Sequence, residues 1–322
     1  MAAMKLEAEI RNFSRDGSGG LAWEADMTAG IAGNGMRSIL RAACVSVGID
    51  ASDAEPVGSQ GVYRLRGGLV VRIGERGQKL ATGREVAVAR WLETCGVSAA
   101  RVVADIPQPV VVDGRPVTFW QELPPHHPGT PGEVARALGQ LHRLPLPGFE
   151  LRRMSPLARV EEEIAAAHTV TEDDRRWLGK HLEELRGRWK ALPKGLPWSV
   201  VQGGGWDDGV VVGDDGDVIL VGLGQAMIGP PEWDLVHTAI ECWTARKLSA
   251  SQYAEFCAGY GRDVMRWDGF YLLRDIQEFR MALQSIRAAA VDPAYQRQAM
   301  RRLACIRGDE GMRPWPEWAD LE

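Results

Sequence analysis

The chain has 322 residues, 45% hydrophobic and 25% charged, a composition that excludes disordered, collagen-like and fibrous architectures for most of its length. Its 38 Lys and Arg against 43 Asp and Glu leave a formal charge of −5, which argues against a nucleic-acid partner, because such proteins usually carry a basic excess. At roughly 150 residues per domain, the length predicts two domains or one two-lobed fold with a core that needs no metal or disulfide. Cys44, Cys95, Cys242, Cys257 and Cys305 are far apart and form no C-x-x-C pair. They read as small apolar residues of a protein kept in a reducing cytoplasm. No apolar run nears the ~18–20 residues of a membrane span, so no membrane partner is expected. The N-terminus lacks the basic start and apolar core of a secretory signal.

In chain order, residues 1–34 read as a tail that adds little to a core, because Gly17 to Gly20 and Gly30 to Gly35 interrupt any periodicity. Met36, Ile39, Leu40, Cys44 and Val47 then repeat with a helical period. The period changes to that of strands in VYRL (62–65), LVVRI (69–73), PVVV (109–112) and VTFW (117–120), separated by turns such as Arg66-Gly67-Gly68 and Asp113-Gly114. One helix, GREVAVARWLE (83–93), interrupts them. After Leu123-Pro124-Pro125 the chain is mostly helical. Thr130-Pro131-Gly132-Glu133 is a capping-box start with proline at the first helical position. A charged helix covers Thr171 to Leu192. Among these helices lies one β island: WSVVQ (198–202), VVV (210–212) and DVILVG (217–222), with Gly213-Asp214-Asp215-Gly216 as its turn. The predicted class is α+β: a tail over 1–34, a small antiparallel sheet lobe with one inserted helix over 35–123, and a larger, mainly helical lobe with an embedded hairpin over 124–322.

Several segments together resemble the aminoglycoside phosphotransferase family, whose fold is protein-kinase-like and which includes choline- and homoserine-kinase-like enzymes. They are VGSQGVYRLRGGLVVRIG (57–74), GREVAVARWLE (83–93), FWQELPP (119–125), ALGQLHRL (137–144), IGPPEWDL (228–235) and LLRDIQEFRM (272–281). Any one is weak; their order and spacing are specific, and they run from about Met36 to Trp318. The resemblance implies that Gly58, Ser59 and the residues up to Val62 cover nucleotide phosphates. It implies that Arg72 reaches the α- and β-phosphates with Glu85 as its partner, that Gln121 to Leu123 is the hinge holding adenine, and that Asp234 braces the catalytic-loop backbone.

The same resemblance fails at the chemistry. Phosphoryl transfer needs a carboxylate to orient the attacking hydroxyl and hard oxygen ligands for Mg²⁺. In the family, a His-Gly-Asp-x-x-x-x-Asn loop and an Ile-Asp-Trp/Phe-Glu-type strand end supply them. Here the loop reads VVQGGGWDDGVVV (200–212) and the strand end VILVGLGQAMIG (218–229). Gln202 stands for the His, Gly204 for the catalytic Asp, Gly209 for the Asn, Gly222 for the metal-binding Asp and Gly224 for the following acid. Glycine is 37 of 322 residues, so four glycines in five key positions are far above composition. A general base alone is worth about 10²–10⁴ in rate. Asp207 and Asp208 lie three and four residues beyond Gly204, roughly 10 Å along an extended chain.

Three functions remain open at this level. The leading one is a pseudokinase that binds a small molecule, peptide or protein partner in the cleft the family keeps between its lobes. It requires no cofactor, and its ATP binding is weak and indifferent to magnesium. The second is an active ATP-dependent phosphotransferase with relocated acids, Asp207 or Asp208. The third is a non-kinase enzyme reusing the cleft on a natural-product or peptide substrate. A purely structural role is the bland alternative. Trp198, Trp206, Trp233, Trp243, Trp315 and Trp318 read either as a groove lining or as packing, and Arg297, Arg301 and Arg302 as a solvated helix face.

Overall fold

A computed structural model describes residues 35–58, 61–204, 209–315 and 318. The tail expected over 1–34 lies outside these residues. The chain divides into two compact units. The first comprises the described residues of Met1–Gly129, Pro147–Leu151 and Asp207–Ala226, the second those of Thr130–Leu146, Arg152–Trp206 and Met227–Glu322.

The first unit is organised by a two-residue alternation. Strands β1 (Glu55–Pro56), β2 (Val62–Leu65), β3 (Leu69–Ile73), β4 (Val110–Val112) and β5 (Arg115–Gln121) form an antiparallel sheet in the order β1-β2-β3-β5-β4. Successive side chains of a strand point to opposite faces. Tyr63, Leu65, Val71, Ile73, Val117 and Phe119 therefore share one face and are buried. They pack on the apolar stripe of α1 (35–46), where Met36, Ile39, Leu40, Ala43 and Cys44 recur at helical spacing. Val62, Arg64, Val70, Arg72 and Trp120 are left on the opposite face, where they line a cavity. Between β3 and β4, α2 (Lys79–Thr94) buries Val86, Val88, Ala89 and Leu92.

The β island divides differently from the sequence expectation. Strand β8 (Val210–Gly213) pairs with β9 (Val218–Leu220) and with β6 (His126–Pro128), and all three belong to the first unit. Leu220 donates its N–H to Ser98 O and accepts from Ala100 N, at 3.0 and 2.8 Å. The hairpin is thereby stitched to the sheet-bearing unit and not to the helical one. β7 (Ser199–Val201) pairs instead with β10 (Met227–Gly229) in the second unit.

In the second unit, α3 (Pro131–His142) opens with the expected capping box, Thr130 and Glu133 bonding each other's backbone N–H. Helices α4 (Val160–Ala165), α5 (Glu172–Lys190), α8 (Phe270–Val291) and α9 (Gln296–Arg307) surround one apolar cluster that includes Leu178, Leu182, Leu185, Ile276, Phe279 and Leu283. Helices α6 (Glu232–Trp243) and α7 (Ala250–Tyr260) complete it.

The C-terminal segment corrects one expectation. Arg302 is not on a solvated face: it is 4% exposed, and its guanidinium donates to Trp318 O at 2.7 Å and Ser285 Oγ at 3.1 Å. Burial pulls its pKa down to about 10, so the charge persists at neutral pH. Trp315 and Trp318 are core residues, packed on Ala245 and Cys305. Arg313 clamps the segment to buried Glu278 through two nitrogens. Helix periodicity alone suggested an exposed Arg302 because the covering segment is distant in sequence. Trp318 is 1% exposed. Trp318→Ala should lower unfolding stability by about 3–5 kcal/mol, read by denaturant titration; a change below about 1 kcal/mol would show that the segment is not part of the core.

Candidate functional site

A cavity of about 300 Å³ lies wholly within the first unit. Its floor and walls come from the open face of β2, β3 and β5, from the 121–123 segment and from Val221 to Leu223. Two ion pairs border it. Arg72 on β3 donates to Glu85 on α2 at 2.7 Å, the contact expected from their register. Arg64 on β2 meets Glu122 at 2.5 Å. Arg72 also lies over the Trp120 ring, 5.7 Å from its centroid, and Trp120 Nε1 is held by Thr118 Oγ1 at 2.9 Å. The remaining walls are mostly apolar, with Val57, Val62, Val70, Leu123, Val221 and Leu223, and are joined by the polar Gln121 and His126.

The segment read as a hinge is already partly engaged. Gln121 N–H donates to Arg101 O at 2.8 Å and Glu122 N–H to Gly68 O at 2.7 Å. Among the described residues, Leu123 N–H has no backbone acceptor. Gly58 takes a left-handed φ of 61° beside Val57 at the start of the loop to β2; Ser59 lies outside the described residues.

At the far wall, Gly222 has φ 67° and ψ 29° and opens the 3₁₀ turn Leu223–Gln225. An L side chain in this left-handed region costs about 1 kcal/mol, with Asp and Asn the best tolerated. The backbone thus keeps a conformation that Asp adopts, but carries no carboxylate. A β-carbon at Gly224 would sit 3.6 Å from Glu85 Oε2. Gly209 anchors the foot of β8 through its carbonyl, which accepts Val221 N–H at 3.0 Å. Glycines at 222 and 224 offer no side-chain oxygen, and among the described residues no group of three or more His, Cys, Asp or Glu could hold a metal. Among the described residues, the glycines at these two positions supply none of the side-chain oxygens that a Mg²⁺ ion needs.

In the second unit, Asp234 is 3% exposed and its carboxylate accepts the backbone N–H groups of Gln202 at 2.7 Å and Gly203 at 2.9 Å. His142 Nε2 adds a third contact at 3.0 Å, and the other ring nitrogen lies 2.9 Å from Tyr260 Oη. Burial, then the carboxylates of Glu232 and Asp234, push the Tyr260 phenol far up, so it keeps its proton. Gln202 is 4% exposed, and its side chain folds back to accept Gly204 N–H at 3.2 Å. A β-carbon at Gly204 would meet that amide at 3.3 Å, a contact eased by a small rotation of the glutamine. Asp207 and Asp208 lie outside the described residues.

The model of the phosphotransferase enzyme family matches residues 56–271. The chain belongs to this family. Among solved structures, it is similar to a choline/ethanolamine kinase family protein from Mesorhizobium loti, with TM-score 0.60 and 18% identity over 89% of this chain and 97% of that one. Choline kinase LicA from Streptococcus pneumoniae gives TM-score 0.57 at 12% identity, covering 84% and 99%. An aminoglycoside phosphotransferase from Streptomyces rimosus, solved with ADP and streptomycin, gives 0.54 at 21% identity, covering 76% and 97%. These likenesses establish the protein-kinase-like α+β fold. No curated protein matches the chain. Among the described residues no helix is long and apolar enough to cross a membrane.

Within this phosphotransferase-family chain, the sequence reading missed Arg64, Trp120 and His126 and gave Glu122 only a backbone role in the hinge; all four line the cavity. Strand alternation carried a signal for two of them: Arg64 is two residues from Val62 and Trp120 two from Thr118. Glu122 and His126 sit in an irregular, proline-rich stretch with no period to read. The brace at Asp234 yields a direct expectation. Asp234→Ala leaves the buried Gln202 N–H and the half-buried Gly203 N–H without acceptors, at about 1–3 kcal/mol for a fully buried group. Stability should fall by about 3 kcal/mol in denaturant titration, with faster amide exchange at Gln202 and Gly203; unchanged exchange there would contradict the bracing role.

Proposed function

We propose that the chain is a pseudokinase: a phosphotransferase-family protein that has lost phosphoryl transfer and uses the cavity of its first unit to bind a ligand. Gly222 carries this reading. Its left-handed backbone suits an aspartate, yet the carboxylate that the family resemblance places there is absent. Gly204 offers no proton acceptor, Gly209 no amide, and Gly224 no second acid. Base and metal ligands act as a unit in such enzymes, so their joint loss removes most of the electrostatic stabilisation of the transferring phosphoryl group.

A nucleotide in this cavity would meet Arg72 at its phosphates and the free Leu123 N–H at its base. With no side-chain metal ligand beside them, those phosphates would face only backbone amides and Arg72, which Glu85 holds in place. ATP binding is therefore weak and indifferent to magnesium, and no cofactor is required. A cavity near the lower end of the ~300–1,000 Å³ typical of ligand sites favours a small molecule over a peptide or protein partner. Five free cysteines support a reducing, cytoplasmic setting.

The test is a coupled assay with Mg-ATP against aminoglycosides and other small alcohols. The unmodified protein should give no turnover. Single restorations should remain silent, whereas Gly204→Asp, Gly209→Asn and Gly222→Asp together should recover activity. Robust turnover by the unmodified protein, lost in Asp207→Ala or Asp208→Ala, would overturn the pseudokinase reading.

A further inference from the structure

The second unit carries two cavities that meet along one ridge. One, of about 560 Å³, is lined by the indoles of Trp189, Trp198 and Trp267 and by Pro193, Pro197 and Pro230. Its other side chains include Lys190 and Lys194. The second, of about 760 Å³, has Arg143 and Arg262 among its walls. Leu196, Pro197 and Trp198 belong to both. No Asp or Glu lines either cavity, although the chain carries a net charge of −5. Among the described residues, Lys190, Lys194, Arg143 and Arg262 form no ion pair, while most other arginines of this unit do. Arg153 adds a fifth cation, 5.9 Å over the Trp198 ring.

The ridge is rigid before any ligand arrives. Leu196 N–H donates to Glu232 Oε1 at 2.7 Å, and Trp267 Nε1 donates to Lys194 O at 3.0 Å. A β-carbon at Gly195 would collide with the Glu232 carboxylate, so the chain passes there only as glycine. Two carboxylates lie behind the surface, Glu232 and Asp234, but both are buried and bound to backbone N–H groups. Arg143 and Lys190 stand at the C-terminal ends of α3 and α5, where a cation offsets the helix dipole. That accounts for two cations, but not for Lys194, Arg262 or a tryptophan left 39% exposed between them.

We infer that this surface docks an acidic, proline-containing extended segment of a partner protein, with Trp198 as its anchor. Grooves walled by aromatic rings and prolines take extended polyproline-type chains at little cost in ordering. The cations select acidic side chains and speed encounter. A nucleic acid fits less well, because the basic groups are few and the chain as a whole is acidic.

The experiment uses the full chain and a short fluorescein-labelled Glu-Pro repeat peptide, followed by anisotropy. A Lys-Pro repeat of equal length and an oligothymidylate are the comparison probes. The Glu-Pro peptide should bind, weaken as salt rises, and lose about tenfold or more in affinity both in Trp198→Ala and in Lys190→Glu combined with Lys194→Glu. These residues are exposed, so melting temperatures should hold apart from a small drop on reversing Lys190, whose charge offsets the α5 dipole. No Glu-Pro binding, equal binding of the Lys-Pro peptide, or insensitivity to both variants would overturn the inference. Tighter binding of oligothymidylate through the same residues would replace it with a nucleic-acid surface. None of these outcomes bears on the cavity of the first unit.

Discussion

The buried carboxylate of Asp234 is the constraint on which the segment around Gln202 and Gly203 depends. Its oxygens are shared among two backbone N–H groups and one imidazole, so the backbone of Gln202 and Gly203 has one low-energy course. In a family enzyme such a brace aims a catalytic aspartate. Here it aims Gly204. The same separation of frame from chemistry recurs at Gly222, where the left-handed turn persists without the side chain. The buried bonds serve stability whether or not the chain catalyses, whereas a carboxylate at 204 or 222 would serve only the chemistry. Retaining the one while lacking the other is what gives the pseudokinase reading its physical content.

The cavity of the first unit follows from strand alternation more than from any special loop. Placing Tyr63, Val71 and Phe119 in the core leaves Val62, Arg72 and Trp120 facing the opposite way. Stability and ligand geometry are therefore linked: a slip of one residue in β2 or β3 would bury Arg64 and Arg72 and expose the apolar set. Each arginine on that face has its own carboxylate, Glu85 or Glu122. The cavity is therefore close to electrically balanced.

Much of this was legible in the residues themselves. The period-two runs gave β2, β3 and β5; the Thr130 to Glu133 capping box gave the start of α3; and the order of short motifs gave the family. The pairing of Arg72 with Glu85 followed from register. What the sequence hid was set by distant partners. His126-His127-Pro128 has no strand pattern and becomes β6 only because β8 lies beside it. The hairpin joins the first unit through bonds to Ser98 and Ala100, over a hundred residues away. Arg302 reads as surface until the C-terminal tryptophans cover it. Arg64 and Glu122 lie in two separate motifs, and their ion pair forms only across the folded sheet.

On the pseudokinase proposal, the family frame stands without side-chain ligands for a metal. Titration calorimetry of ATP into the full chain, with and without Mg²⁺, tests it most directly. Weak binding with the same Kd in both conditions is expected. Tightening by about tenfold or more on adding Mg²⁺, equivalent to about 1.4 kcal/mol, would reveal metal ligands and contradict it.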